Sequence, residues 1–332
     1  MKFFKFFVGR TVALLLVIFI GVTVVFLLPR MMPTDPVENA LATLQTNSAA
    51  MDPEAAAIMR QVLMENFGLT GTLWEQYSRF ITRSIFTLDF GPSLSMYPIP
   101  VIDLIGDALP WTMGLMVTST VLAWLIGNVV GLFAGLRPNK LSSRIMEGIS
   151  ITLYPLPYYV LALLLIMGFS YIIPIFPLTT NVRGQPWTWG YLKSLLHNSF
   201  LPALSLILVD TGWWVLSMKV LSTGIAEEDH VMFARLKGVG SNRIMWHYVA
   251  PNAMLPQITM LSMRIGTVFS GAMVTEVLFS YPGIGTLIYN SILRSDYNLI
   301  IGTITMSILA VSLSTYIIDL LYPFLDPRVR YK

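Results

Sequence analysis

The chain has 332 residues, of which 55% are hydrophobic and only 12% are charged, and its net charge is +3. Soluble domains carry about 25% charged residues, so this composition excludes an ordinary soluble protein and indicates an integral membrane protein. The basic residues are spread along the chain as membrane-loop anchors are, which argues against nucleic-acid binding. Since there is no cysteine, disulfides and thiolate metal sites are excluded.

The first predicted element is a transmembrane helix preceded by Lys2, Lys5 and Arg10. Its apolar run, residues 12–28, approaches the ~20 residues that span a bilayer. The run is long for a signal peptide, and the Pro29-Arg30-Met31 sequence after it is no small-residue cleavage site. We therefore expect an uncleaved first helix, within an N-terminal unit at 1–33.

Residues 34–107 are predicted to form a small helical segment outside the membrane. Asp52-Pro53-Glu54 supplies an N-cap, a proline at the first helical position and an acid in the first turn. Helical spacing continues over 55–67, Gly68 suits the position after the helix, and a second short helix is predicted over 73–86.

The remainder, 108–332, is predicted to form a core of five transmembrane helices. Five further apolar stretches, at 109–136, 145–173, 201–221, 254–278 and 300–322, can each cross ~30 Å of hydrocarbon. None alternates with period two, so the expected fold is all-α with six transmembrane helices. Most of the 21 lysines and arginines then lie on one side together with both termini, which predicts that both termini are cytoplasmic.

Two features of the predicted spans concern helix packing. Gly127, Gly131 and Gly135 form a ladder of small residues in the second span, which predicts a close helix contact. Polar residues and two prolines near 150–159 predict a kink near the start of the third span.

The loop at 222–252, on the predicted cytoplasmic side, is expected to form a helix–turn–helix. Three acids at 227–229 mark a helix start, and Gly238 and Gly240 allow a sharp turn. A second short helix at 242–249 is predicted to end before Pro251. The first helix carries an apolar stripe among charged residues, made of Val231, Phe233, Ala234 and Leu236.

This loop resembles the conserved cytoplasmic loop of ABC-importer permeases. The widest form of that motif reads Glu-Ala-Ala, three residues, Gly, nine residues, then Ile-x-Leu-Pro, and Ala234, Gly238 and Pro251 fall at the matching spacing. Met232 and Phe233 stand where the motif has Glu and the first Ala. Where this loop differs from the widest form of the motif, it resembles the oligopeptide/dipeptide/nickel branch, whose loops typically read Ala-Arg-x-Lys-Gly followed by Asn-Ala-x-x-Pro.

Other stretches resemble the same branch from one end of the chain to the other. They are Pro33-Thr34-Asp35-Pro36, Leu109-Pro110-Trp111-Thr112, the run from Glu276 to Gly285, and Pro323–Arg328.

The resemblance implies one permease subunit of an importer in the cell membrane of a prokaryote. Its partners would be a second, similar permease, two cytoplasmic ATPase subunits and an extracytoplasmic solute-binding protein. The chain has no GxxxxGK[ST] motif, so ATP and Mg²⁺ would bind to the ATPases, and no cofactor is expected here. The residues that would couple to an ATPase are Asp229, Phe233, Ala234, Arg235, Lys237, Gly238, Pro251 and Asn252. The alternative for this segment is an amphipathic helix lying on the membrane.

Two charges fall in the middle of predicted spans, Asp210 in the fourth and Arg264 in the fifth. Each would cost about 2.5–3.5 kcal/mol unpaired at the bilayer centre. We predict that both face the interior and either pair with each other or line the solute path.

A gate is implied by the resemblance near the outer end of the fifth span. It comprises Glu276, Tyr281, Pro282 and Gly283, and the solute-binding protein would contact this region. The alternative for Glu276 is a carboxylate that snorkels to the membrane surface.

The expected function is import of oligopeptides or short oligosaccharides, with nickel chelates as a further cargo. The alternative is an ion-coupled secondary transporter of a polar solute, for which Asp210 is the candidate titratable group. A membrane-embedded enzyme would need a catalytic constellation in the spans, and the sequence shows none. His197, His230 and His247 lack ligand spacing, so neither a metal site nor a catalytic residue is predicted.

Overall fold

The computed structural model describes residues 2–31, 37, 38, 41, 52–266, 268 and 272–325. Across these ranges the regular structure is helical, with one isolated bridge between Pro92 and Pro100, which confirms the all-α prediction. The predicted motif at 33–36 and the C-terminal residues 326–332 lie outside the described residues.

The helices are numbered along the chain, with three π-helical turns that continue α3, α6 and α9. They are α1 (Lys2–Met31), α2 (Pro53–Asn66), α3 (Leu73–Thr82, then Arg83–Thr87), α4 (Val101–Leu136), α5 (Leu141–Leu153), α6 (Tyr158–Ile166, then Met167–Ile172), α7 (Trp189–Ala226), α8 (Asp229–Leu236), α9 (Ser241–Ile244, then Met245–Val249), α10 (Ala250–Gly266), α11 (Met273–Leu278), α12 (Ile284–Leu293) and α13 (Tyr297–Leu325).

Among the described residues, four helices are long and apolar enough to cross a membrane, namely α1, α4, α7 and α13. A fifth crossing is available to α5 and α6, which are bent by 103° at a short break. The prolines in this break lack N–H groups, so the predicted kink is confirmed at 154–157. The predicted fifth span, 254–278, is divided between α10 and α11. A multi-pass membrane fold is therefore confirmed, whereas six crossings and their orientation remain predictions.

The glycine ladder packs α4 directly against α7. A Cβ atom on Gly131 would lie 2.5 Å from the Val215 carbonyl oxygen and 2.8 Å from the Met218 Cβ. On Gly135 it would lie 2.8 Å from the Lys219 carbonyl oxygen. Since real Cβ atoms do not approach so closely, only glycine allows this contact, and the packing prediction is confirmed.

The two ends of the helices are distinguished by what packs there. At one end Val101 of α4 packs with Phe90 and Leu299. At the other end Leu132 of α4 belongs to the same buried cluster as Val231 and Ala234 of α8. We call these the Val101 end and the α8 end.

Helices α1 and α13 both reach the α8 end. Because α13 starts at the Val101 end, its last turns lie at the α8 end, where Asp319 pairs with Arg10 of α1 at 3.0 Å. The start of α1, the end of α13 and the loop at 222–252 thus share one side, as predicted. Which side faces the cytoplasm remains a prediction.

The segment between α1 and α4 contains the two predicted short helices. Helix α2 begins at Pro53, and Gly68 after it has φ +65°, as predicted, although the Asp52 side chain makes no capping hydrogen bond. Helix α3 begins with a capping box, because Glu75 N–H donates to Thr72 Oγ1 and Thr72 N–H donates to Glu75 Oε2. Hydrogen bonds from Thr72 hold the pKa of Glu75 below its ordinary value.

Candidate coupling and transport sites

Helix α8 has one buried face and one exposed face. Val231 and Ala234 are buried in the cluster around Leu132, whereas Phe233 and Leu236 are 63% and 74% exposed. Positions three residues apart share a helix face, so the predicted apolar stripe is divided between the two faces. Ala234 therefore belongs to the base of α8 and not to its outer surface. Met232 joins Phe233 and Leu236 on the exposed side, and we call these three residues the outer face of α8.

The charged residues predicted to couple surround this outer face. Asp229, Arg235 and Lys237 are all exposed. Gly238 has φ +76°, a conformation that favours glycine, and it ends the helix as predicted. The Val239 N–H donates to the Ala234 carbonyl at 3.1 Å, which closes the turn.

The chain stays helical through Pro251, so the prediction that a helix ends before this proline is wrong. Residues 245–249 form a π-helical turn in which the Ala250 N–H donates to the Met245 carbonyl. This wider turn places Pro251 in the first turn of α10, where its missing N–H is not required. Pro251 is exposed, and Asn252 Nδ2 donates to the Tyr248 carbonyl at 2.9 Å.

Asp210 and Arg264 form an ion pair, which was one of the two predicted arrangements. Arg264 Nη2 lies 2.8 Å from Asp210 Oδ1. The Tyr158 hydroxyl donates to the same oxygen at 2.9 Å and accepts from Arg264 Nη2 at 3.0 Å. The pair therefore joins α7, α10 and α6. The Asp210 side chain is 13% exposed and that of Arg264 is 48% exposed, so the guanidinium reaches the surface of this chain.

Glu276 is fully buried, at 0% exposure, which differs from both surface roles considered for it. Its Oε1 accepts from the Thr112 hydroxyl at 2.8 Å, and its Oε2 accepts from the Gly285 N–H at 2.7 Å. The Thr112 hydroxyl in turn accepts from the Ile284 N–H at 2.8 Å. Glu276 and Thr112 therefore satisfy the first N–H groups of α12.

The other predicted gate residues are also mostly internal. Tyr281 is buried, with its hydroxyl 3.1 Å from Ser199 Oγ and its ring packed edge-on against Trp111. Any side chain at Gly283 would collide with the Glu276 carboxylate and the Thr112 hydroxyl. Among these gate residues only Pro282 is exposed.

A further buried carboxylate, Asp296, was not singled out from the sequence. Its Oδ2 accepts from Ser93 Oγ at 2.5 Å and from the Ser95 N–H and hydroxyl at 2.9 Å. Its Oδ1 accepts from the Leu299 N–H at 3.1 Å, so Asp296 caps α13. An aspartate before a long apolar run is a local signal for an N-cap, and it could have identified this role.

Comparison with known proteins identifies the family. The family model described as "binding-protein-dependent transport system inner membrane component" matches residues 127–331. The chain belongs to this family. The match includes the glycine ladder, α8 and Glu276, so the ABC-importer resemblance of the loop is confirmed.

Three relatives cover almost the whole chain. The oligopeptide transport system permease protein AppB of Bacillus subtilis is 30% identical over 95% of this chain and 96% of its own length. The dipeptide transport system permease protein DppB of Escherichia coli K12 is 28% identical over 98% of this chain and 99% of its own. The glutathione transport system permease protein GsiC of the same strain is 29% identical over 98% of each.

Proposed function

We propose that the chain is a permease subunit of an ATP-driven importer and that the outer face of α8 receives an ATPase subunit. The observation that carries this proposal is the division of α8 into a buried base and an exposed apolar face. Met232, Phe233 and Leu236 project from a helix whose Val231 and Ala234 are buried in the same cluster as Leu132, next to α7 and α9.

The chemistry of this surface suits a protein partner. An apolar centre with a charged rim is the usual anatomy of an interface, and here the rim is supplied by Asp229, Arg235 and Lys237. Because α8 contacts α7 and α9, and α7 packs along α4, a displacement of α8 would be transmitted to α4 through the buried cluster that contains Leu132. ATP and Mg²⁺ would bind to the partner, since the chain has no P-loop sequence. A second permease and a solute-binding protein would complete the importer.

Short peptides are the proposed cargo. The three relatives are named for oligopeptides, dipeptides and glutathione, which are all peptides or peptide-like. Short oligosaccharides remain the alternative that the sequence left open. A secondary transporter, the other alternative, would have no need of the outer face of α8.

The test compares Phe233→Ser with Trp187→Ser. Both residues are exposed, but they lie at opposite ends of α7. Trp187 precedes the start of α7, whereas Phe233 is on α8, which follows the end of α7, so Trp187 is remote from the outer face of α8. The tagged chain is extracted with its native partners, and P-loop ATPases are quantified by mass spectrometry alongside vanadate-sensitive dipeptide uptake. We expect Phe233→Ser to lower both by more than tenfold and Trp187→Ser to leave ATPase recovery unchanged. Uptake that resists vanadate and survives Phe233→Ser would refute the proposal.

A further inference from the structure

A cleft at the Val101 end, between α1, α3 and α13, is rich in arginine. It has a volume of about 60 Å³ and is lined by Arg30, Arg79, Arg83, Ser84, Asp89 and Asn298 among others. A cavity of ~10–15 Å³ already admits one water molecule, so this one accepts a group the size of phosphate but not a peptide.

The cleft carries an excess of positive charge. Arg83 is paired with Asp89, with Nη2 2.5 Å from Oδ2. Arg30 donates to neutral oxygens, namely Gln76 Oε1 at 3.1 Å and the Phe26 carbonyl at 2.9 Å. Arg79 likewise donates to Thr70 Oγ1 at 3.0 Å. Within the part of the chain that the structure describes, neither Arg30 nor Arg79 has an acidic group within ion-pair distance. Asp89 is the one acid among the described lining residues, while the exposed Glu75 attracts Arg79 from outside the cleft. The lining therefore carries a net positive charge that favours an anion, and the planar guanidinium suits phosphate oxygens.

Ser84 gives a second and independent indication of a ligand. Ser84 is one of the residues that line the cleft, and it is only 1% exposed. Its hydroxyl has no hydrogen-bond partner among the described residues. A buried hydroxyl without a partner is costly, and a ligand oxygen would satisfy it once the Ser84 side chain rotates toward the cleft, because its oxygen is closed off from solvent in this structure.

The position of the cleft favours a membrane lipid as the source of that anion. Arg30 lies one turn beyond Leu27, the last residue of the apolar span in α1. The neighbouring α3 and its π-helical turn expose Leu73, Trp74 and Phe86. Exposed apolar side chains beside arginines on one short helix are typical of a helix that lies in the membrane interface. Phospholipid headgroups are concentrated at this depth.

We propose that the cleft binds the phosphate group of a membrane phospholipid, held by Arg30 and Arg79 with the Ser84 hydroxyl as a further donor. The acyl chains would lie against the apolar surface of α3. The cleft is at the opposite end of α4 from α8, so this proposal does not depend on the function proposed for α8.

Lipid retention on the purified full chain tests the proposal. The chain is delipidated in detergent and titrated with phosphatidylglycerol, and bound lipid is counted by native mass spectrometry. We expect Arg30→Gln/Arg79→Gln to weaken retention at least tenfold. Arg60→Gln is the matched control, because Arg60 lies on α2 outside the cleft and pairs with Glu38. The control should bind like the wild type, and Arg79→Lys should retain most of the lipid because it keeps the charge.

Several outcomes would overturn the proposal. Unchanged lipid retention in the double variant, or an equal loss in Arg60→Gln, would exclude the arginines as the site. Full displacement of the lipid by inorganic phosphate at equal concentration would assign the cleft to the free anion. A loss of binding-protein affinity with unchanged lipid retention would assign the arginines to a protein interface. If the double variant does not fold, the comparison of Arg79→Gln with Arg79→Lys decides. Lipid counting needs no ATPase, so its failure is distinct from failure of the importer proposal.

Discussion

The carboxylate of Glu276 and the hydroxyl of Thr112 lie 2.8 Å apart and join α11 to α4 beneath the first turn of α12. Each of the two groups accepts a hydrogen bond from a backbone N–H at the start of α12. The turn between α11 and α12 is therefore fixed to one of the long membrane helices by side chains that no solvent reaches.

Replacement of Glu276 is expected to destabilise the protein strongly. Glu276→Ala leaves the Gly285 N–H and the Thr112 hydroxyl without their acceptor, at about 1–3 kcal/mol for each buried donor. Thermal unfolding in detergent measures the effect. Glu54→Ala, which removes an exposed acid in the first turn of α2, should cost less than about 1 kcal/mol. Equal losses in the two variants would contradict the capping role of Glu276.

The buried Asp296 makes a comparable prediction at the start of α13. Asp296→Ala removes the acceptor of Ser93, Ser95 and the Leu299 N–H, so the free energy of unfolding should fall by about 1–3 kcal/mol or more. Asp103 is an exposed acid in the first turn of α4, and Asp103→Ala is the control. If unfolding of the two variants is indistinguishable, Asp296 does not anchor the loop at 93–95.

Exchange of the charges of Asp210 and Arg264 separates a structural pair from a solute contact. Asp210→Arg and Arg264→Asp should each lower the yield of folded protein, because each places like charges together. An unpaired charge within the membrane costs about 2.5–3.5 kcal/mol, so we expect each single variant to be destabilised by at least that order.

The double exchange should restore folding, because it recreates the ion pair. If folding returns but uptake does not, the pair contributes to the solute path; if both return, its role is structural.

Tyr158→Phe, which removes one hydrogen bond to Asp210, should lower the free energy of unfolding by about 1 kcal/mol, measured by thermal unfolding.

The contact between α4 and α7 predicts contrasting effects for two glycines of α4. Gly131→Ala forces the helices apart, because its Cβ would lie 2.5 Å from the Val215 carbonyl oxygen, and should cost about 1–3 kcal/mol. Gly114 has open space around it, so Gly114→Ala should be neutral or should stabilise by up to about 1 kcal/mol. Melting temperatures in detergent compare the two. A stable Gly131→Ala variant would mean that the ladder is not a close contact.

Structural features that depend only on residues close together in the sequence were predictable. The membrane class follows from composition, and α1, α4, α7 and α13 follow from the length of their apolar runs. The start of α2 at Pro53 and the turn at Gly238 follow from residue types with strong local preferences. Pro251 was misjudged because a π-helical turn before it changes which N–H groups are needed.

By itself the sequence determined the membrane class, the all-α fold, the glycine contact and the family-like loop, because hydropathy, spacing and turn preference are properties of short stretches. Only the tertiary structure decided that Glu276 and Asp296 are buried caps, that Tyr158 joins the Asp210–Arg264 pair, and that Phe233 points outward while Ala234 points inward. These contacts join residues 54, 164 and 203 positions apart. Which side chains meet across such separations depends on how the helices pack, and no local pattern records it.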